Sequence, residues 1–244
     1  MKNGMKYMGS KNKHYKEMLP IILQHRKPGQ AYVEPFYGGC NMIYKVPSSF
    51  PRYANDNHFY LIELLKHVQA GGELPDYVSE ERYKDIQLNK EEYPAWEVGF
   101  VGFGCSFGAK WFGGFARNIK QGHKDETLNM TTRNYCAESK RNLLKQAPYL
   151  SGITFSCGDY RQMFIPDRSL IYVDPPYKET TGYHSGFNHD DLFSWLEAKK
   201  NEGHTIFVSE YQMPGNFKLI GGKPVVSSFD HSSRKTETER LYTL

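Results

Sequence analysis

The sequence predicts an α/β fold, a mostly parallel sheet with an antiparallel edge hairpin. Three observations lead to it. Short strand-like runs that end in glycine or proline turns recur in the first quarter and the last third of the chain. Helix-like or longer segments separate most of them, so neighbouring strands can run the same way under helical cover. The final two runs are joined by a polar turn, which suits an antiparallel edge.

The elements follow in order. Between Tyr15 and Leu23, apolar residues fall at 15, 18, 19, 22 and 23, one face of a helix, and Lys27-Pro-Gly29 ends it. Ala31-Tyr-Val-Glu-Pro-Phe36 reads as a short buried strand entering a glycine turn, and a second strand ends at Asn55-Asp56. Gly152–Ser156, Ser169–Val173 and His204–Ser209 are strand-like as well. A helix lies between the last two. Asn188 is its expected N-cap, Asp190 and Asp191 occupy the first turn, and Leu192, Phe193 and Leu196 share a face. Lys199 and Lys200 stand near its end, with Gly203 beyond. Lys223–Ser228 and Glu239–Thr243 are the closing strands.

From about 61 to 149 the composition changes, and this stretch reads as an insertion. Tyr93, Trp96, Phe100, Phe103, Phe107 and Trp111 recur at spacings of three and four, the pattern of one helical face, better suited to a core than to a binding surface. The remaining 1–60 and 150–244 form the expected α/β domain.

With 244 residues, 39% hydrophobic and 24% charged, the chain has the make-up of a soluble globular protein. Its apolar runs are far shorter than the roughly 20 residues that span a bilayer. The basic start Met1–Tyr7 has no apolar core behind it, so a secretory signal is not expected and a cytoplasmic location is. Cys40, Cys105, Cys136 and Cys157 form no C-x-x-C pair and the histidines no H-E-x-x-H, so no metal is expected. The net charge of +4 hides blocks: +6 over 1–30, −5 over 73–97 and +5 over 110–145. Such blocks suit either solvated helix faces or the footprint of a polyanion.

Asp174-Pro-Pro-Tyr177 follows the apolar run Leu170–Val173, which puts Asp174 at the carboxyl end of a buried strand, where open α/β sheets bind ligands. Two prolines lack N–H groups and stop the strand, leaving a carboxylate and the Pro175 carbonyl as acceptors with Tyr177 as a flat face beside them. Two acceptors and a stacking surface suit an exocyclic amino group such as adenine N6 or cytosine N4. A strand-ending turn with a satisfied aspartate is the plainer alternative. Glu34-Pro-Phe-Tyr-Gly-Gly39 ends the first strand, and Asp56 at the end of the second can accept from two ribose hydroxyls. Neither G-x-G-x-x-G nor G-x-x-x-x-G-K-[ST] occurs, so an adenosyl group without pyrophosphate fits better than a nicotinamide cofactor or ATP. Lys6-Tyr-Met-Gly-Ser-Lys11 is a weak signal alone.

Together and in this order the motifs resemble the Dam-like, α-type adenine-N6 DNA methyltransferases, the D12 class. Tyr7-Met-Gly-Ser-Lys11 is similar to that family's Y/W-x-G-[GS]-K opening, and Glu34-Pro-Phe-Tyr-Gly-Gly-Cys40 to its cofactor loop. Asp56, Asp159-Tyr160 and Asp174–Tyr177 are similar to the acids and the D-P-P-Y element that follow the second, third and fourth strands. The resemblance covers about 1–60 and 150–244. Two positions depart from it: Cys40 stands at the loop's last glycine, and Val208-Ser-Glu-Tyr211 replaces a Ser-Asn-His-like element.

The resemblance implies a Rossmann-like S-adenosylmethionine-dependent methyltransferase fold, with 61–149 as a small inserted target-recognition region. It implies S-adenosylmethionine as cofactor and S-adenosylhomocysteine as product, with no metal. Tyr7, Lys11, Glu34, Phe36, Gly38, Gly39, Asp56, Asp159, Tyr160 and Asp174 would surround the cofactor. Asp174, Pro175, Pro176 and Tyr177 would form the catalytic element. Gly114–Asn118 resembles a segment that approaches DNA, so Arg117 and Asn118, with the basic Lys120 and Lys124, are the candidates for DNA contacts. The expected partner of a monomeric enzyme is double-stranded DNA, in a bacterial or phage-infected cell, in a restriction-modification setting. Cytosine-N4 or RNA adenine methylation remains open at this point, as does a DNA-binding relative without turnover. Under this reading both basic blocks lie near the DNA and the acidic block faces away.

Overall fold

The computed structural model describes residues 4–11, 14–24, 26–117, 134–176, 187–226 and 236–244. Among these, the strands are β1 (Tyr32–Glu34), β2 (Arg52–Asp56), β3 (Ile153–Cys157), β4 (Leu170–Val173), β5 (Thr205–Glu210), β6 (Lys218–Val226) and β7 (Thr236–Thr243). They form one seven-stranded sheet in the order β3-β2-β1-β4-β5-β7-β6. β3, β2, β1, β4 and β5 pair in parallel, while β7 runs antiparallel to both β5 and β6. This is the mixed α/β sheet with an antiparallel edge that the sequence predicts.

The order positions the site. From β1 the chain moves outward to β2 and β3, then returns to place β4 on the other side of β1. The carboxyl ends of β1 and β4 therefore flank a topological switch point, where crossovers leave in opposite directions and a crevice opens. Glu34 is the last residue of β1, and Asp174 follows the last residue of β4.

By their contacts the described residues fall into two compact units. The first comprises 13–37, 46–57 and 152–244, and it holds the whole sheet with α1 (Tyr15–Gln24) and α6 (His189–Asn201). β4 is buried at all four positions, as an apolar strand inside a parallel sheet should be. Leu192 and Leu196 of α6 are fully buried beside Ile171, Val173, Ile206 and Val208. Asn188 caps the helix, its Oδ1 accepting from Asp190 N at 3.0 Å and Asp191 N at 3.2 Å, and Gly203 beyond the end has φ +92°. Asn188→Ala is expected to cost about 1 kcal/mol, a fall of roughly 2–4 °C in thermal unfolding.

Both closing strands begin earlier than expected, β6 at Lys218 and β7 at Thr236, with an irregularity between Leu219 and Gly221. Ladder hydrogen bonds are made by the backbone, so pairing extends past the apolar residues that mark a strand in sequence.

The second unit comprises 1–12, 38–45 and 58–151. It contains α2 (Phe59–Gln69), α3 (Glu80–Leu88), α4 (Ala95–Gly99) and α5 (Tyr135–Leu150). Here one expectation is corrected: the aromatic stripe does not line a single helix. α4 ends at Gly99, a π-helical turn spans Phe100–Gly104, and a short 3-10 turn covers Phe107–Ala109. Phe100 and Phe103 are buried, whereas Phe107 is 64% exposed. The glycines explain the break. A Cβ on Gly99 would lie 2.1 Å from the Tyr60 carbonyl, and one on Gly102 2.3 Å from the Trp111 ring. Close packing of backbone and rings, rather than helical continuity, decides this segment.

Candidate active site

In the sheet-bearing unit, acids and rings gather at the carboxyl ends of the parallel strands. Asp174 is half-buried and Pro175 buried after β4; Tyr177 lies outside the described residues. The Pro176 carbonyl accepts from His189 Nε2 at 3.0 Å. At the end of β1, Glu34 is buried and its Oε1 accepts from Tyr32 Oη at 2.9 Å. Asn55, one residue before the end of β2, holds the local frame. Its Nδ2 donates to the carbonyls of Pro35 at 3.3 Å and Gly158 at 2.9 Å, and its Oδ1 accepts from Ser156 Oγ at 2.9 Å. These bonds tie the turn after β1 to the turn after β3. Asp56 follows, half-buried, its carbonyl accepting from Gly158 N at 3.0 Å.

Phe36 completes this face. Its ring lies 4.9 Å from Tyr160 and 5.6 Å from Phe187, centroid to centroid, and Trp195 meets Tyr160 edge-on at 5.1 Å. Burial pushes the Tyr160 phenol up, so it remains neutral. Asp159 is engaged locally: its carboxylate accepts from Arg161 N at 2.8 Å and from the Arg161 guanidinium, which holds its carboxyl below the usual range. Phe187, Trp195 and Asn55 were missed by sequence reasoning. Phe187 carried a signal as the apolar residue before an N-cap, but only the fold brings it to Phe36.

Ser209 and Glu210, in the element that departs from the family's Ser-Asn-His-like pattern, are buried at the end of β5. Ser209 Oγ is bonded to Tyr172 Oη at 2.8 Å, a link between β5 and β4.

The helical unit holds the other expected cofactor residues. Gly38 has φ +50°, and a Cβ on Gly38 or Gly39 would lie 2.8 Å or 2.6 Å from Tyr7. What approaches this turn so closely is the Tyr7 side chain. Cys40 adopts φ +59°, a left-handed conformation that costs a non-glycine residue roughly 1 kcal/mol and fits the glycine expected there. Gln146 on α5 is fully buried and ties the segment together. It accepts from Met5 N at 2.8 Å and donates to the carbonyls of Gly39 at 3.1 Å and Cys40 at 3.2 Å. Nothing in its sequence context marks it. Lys11 is buried as well.

Among the DNA-contact candidates, Arg117 is described and exposed, while Asn118, Lys120 and Lys124 lie outside the described residues. The guanidinium of Arg117 is bonded to both carboxylate oxygens of Glu80, Nε to Oε2 at 2.7 Å. Lys84 reaches Glu80 at 2.9 Å, and Lys140 reaches Asp76 at 2.9 Å. The expectation that the acidic block lies on the side away from the DNA, with the basic blocks beside it, is corrected for Glu80 and Asp76, which are bonded to Arg117 and Lys140 of the second basic block. Opposite charges far apart in sequence attract across a folded surface, so the blocks interleave. Arg117 and Lys84 hold the Glu80 carboxyl at about 2. A depressed folded value contributes stability above the ordinary carboxylate range, lost as pH falls toward 2; because the partners Arg117 and Lys84 are exposed, the effect is small.

Residues 7–98 match the D12 class N6 adenine-specific DNA methyltransferase model. The match takes in Tyr7–Lys11, Glu34–Cys40 and Asp56 and spans less than half of the chain, ending before Asp174. With the sheet order, it supports a methyltransferase fold and the activity class of adenine methylation of DNA. Among the described residues no helix is long and apolar enough to cross a membrane, and no group of three His, Cys, Asp or Glu is placed to hold a metal ion.

Proposed function

We propose that this D12-class relative transfers a methyl group from S-adenosylmethionine to adenine N6 in a specific duplex DNA site. The observation that carries the reading is the set of groups flanking the switch point: Glu34, Asp56 and Asp174, with the Phe36–Tyr160–Phe187 rings. Carboxylates for hydroxyl and amino groups, and rings for a flat heterocycle, suit an adenosyl ligand with no phosphate to neutralise. The three rings contact one another, so a purine would lie against their open side rather than between them. Asp56 would accept from the ribose hydroxyls, and Asp159 and Tyr160 would border the adenine; Tyr7, Lys11, Gly38 and Gly39 are cofactor candidates by the family resemblance of their motifs.

When bound, S-adenosylmethionine supplies an electrophilic sulfonium methyl. The work of the chain is to present N6. A stacked, paired adenine cannot bring N6 to a methyl group held at a sheet end, so the base must rotate out of the duplex. Asp174 and the Pro175 carbonyl then accept hydrogen bonds from the two N6–H groups, which favours a pyramidal nitrogen whose lone pair attacks in line, while Tyr177 would stack on the base. The N–methyl bond forms as the methyl–sulfur bond breaks, S-adenosylhomocysteine leaves, and the surplus N6 proton is lost to solvent. Pro176 keeps the turn rigid. Residues 1–60 and 150–244 form the catalytic part in this reading, and 61–149 the target-recognition region.

Incubation with radiolabelled S-adenosylmethionine and unmethylated duplex DNA, followed by digestion to nucleosides, tests this. N6-methyldeoxyadenosine is expected. N4-methylcytosine or label only in RNA would overturn the substrate, and DNA binding without cofactor binding in calorimetry would overturn turnover.

Arg117, Lys120 and Lys124 are proposed phosphate contacts. Replacing any of them with alanine is expected to make the salt dependence of DNA binding shallower by about one counterion. Glu80→Gln releases Arg117 and is expected to tighten binding about threefold at low salt. An unchanged slope would remove that residue from the interface.

A further inference from the structure

The Asp174-Pro-Pro turn has an external support that the proposed chemistry does not assign. Pro175 and Pro176 have no N–H, so this stretch cannot tie itself down through its own amides. The Pro176 carbonyl is instead bonded to His189 Nε2 at 3.0 Å. A carbonyl only accepts, so Nε2 carries the proton and His189 is the donor.

His189 is a stiff donor because of where it stands. It is the first residue of α6, immediately after the Asn188 cap. Leu192 and Leu196 root that helix in the core under β4 and β5. The imidazole also packs edge-on against Phe187 at 5.0 Å, and Phe187 packs edge-on against Phe36 at 5.6 Å. One side chain thus links the turn after β4, the start of α6 and the ring cluster at the end of β1.

We propose that His189 is a positioning residue: by donating to the Pro176 carbonyl it fixes the orientation of the turn, and so the direction in which Asp174 and the Pro175 carbonyl accept. The inference rests on the methyltransferase reading. Proline rings set φ at 175 and 176, which leaves ψ as the soft coordinate of the turn. Pinning the Pro176 carbonyl to α6 fixes the far end of the turn and so restrains ψ at Pro175 as well as at Pro176, and ψ at Pro175 sets where its carbonyl points. Misplacing acceptors by an ångström weakens transfer without touching the cofactor's own contacts.

Two variants and two readouts separate this role from a merely structural one. His189→Ala removes the donor, whereas the side-chain amide of His189→Gln can donate from a similar position. Expected for His189→Ala is a fall in kcat of about 10- to 100-fold, with S-adenosylmethionine affinity in calorimetry within twofold of wild type. His189→Gln is expected to restore kcat to within about threefold, as a replaced donor should. In the free protein, a long-range proton–nitrogen spectrum should show His189 protonated at Nε2. An imidazole protonated at Nδ1 alone, a His189→Ala kcat within threefold of wild type, or a His189→Gln variant as slow as His189→Ala would each overturn the inference. A wild-type protein without methyl transfer would overturn the underlying reading, an outcome distinguishable from all of these.

Discussion

Asp174→Ala is expected to lower methyl transfer by at least about 100- to 1,000-fold, the scale on which removing one charge-stabilising group slows an enzyme. The reason is the chemistry of N6. Its lone pair is delocalised into the purine, and it becomes a nucleophile only when both hydrogens are held out of the ring plane. Removing the carboxylate leaves the Pro175 carbonyl as a single acceptor. Asp174→Asn keeps one neutral acceptor oxygen and loses only the charge, so its loss should fall between wild type and Asp174→Ala. The fold should survive both changes, since Asp174 is only half-buried and stands beyond the ladder of β4. The measurement is radiolabelled methyl incorporation into unmethylated duplex DNA, with thermal unfolding alongside. Activity within tenfold of wild type would sink the assignment of Asp174.

The second large effect is on stability. Gln146→Leu is expected to destabilise the protein by about 2–4 kcal/mol, because a side chain of similar size would leave three buried backbone groups without their partner. Those groups are Met5 N–H and the carbonyls of Gly39 and Cys40. The expected loss corresponds to roughly 5–15 °C in the unfolding midpoint. The same bonds tie the segment around Tyr7 to the Gly38–Gly39 turn. Under the proposed function, Gln146→Leu should also raise the KM for S-adenosylmethionine while changing kcat less. A melting temperature within 2 °C of wild type would show that water or local rearrangement replaces the amide.

Much of the sheet-bearing unit was legible in the chain. Leu170–Val173 is a short apolar run bounded by turn residues, as a strand buried on both faces of a parallel sheet should be, and all four positions are buried. Asn188 followed by two aspartates announces a helix start, and its oxygen does accept from both of their amides. Asp56 and Asp174 could be placed at strand ends because turn residues and apolar runs are local signals. The middle was less legible. Spacings of three and four in the aromatic stripe implied one helix, but Gly99 and Gly102 sit where a neighbour's backbone or ring comes too close for any side chain. Periodicity records which residues avoid water, not which backbone path buries them.

From its amino acids alone, this chain determined the α/β class, the strand ends that carry Glu34, Asp56 and Asp174, and the resemblance to D12-class adenine methyltransferases. These depend on the alternation of apolar runs and turns and on the order of short motifs, both of which are written along the chain. Tertiary structure decided which residues meet. It seated Tyr7 against two glycines, clasped Arg117 to Glu80, gathered Phe36, Tyr160 and Phe187, and put a histidine behind the Asp174 turn. Such partners lie from about ten to more than a hundred residues apart in the chain. Their contact is set by packing and hydrogen-bond satisfaction over the whole fold, for which no single stretch of sequence carries a mark.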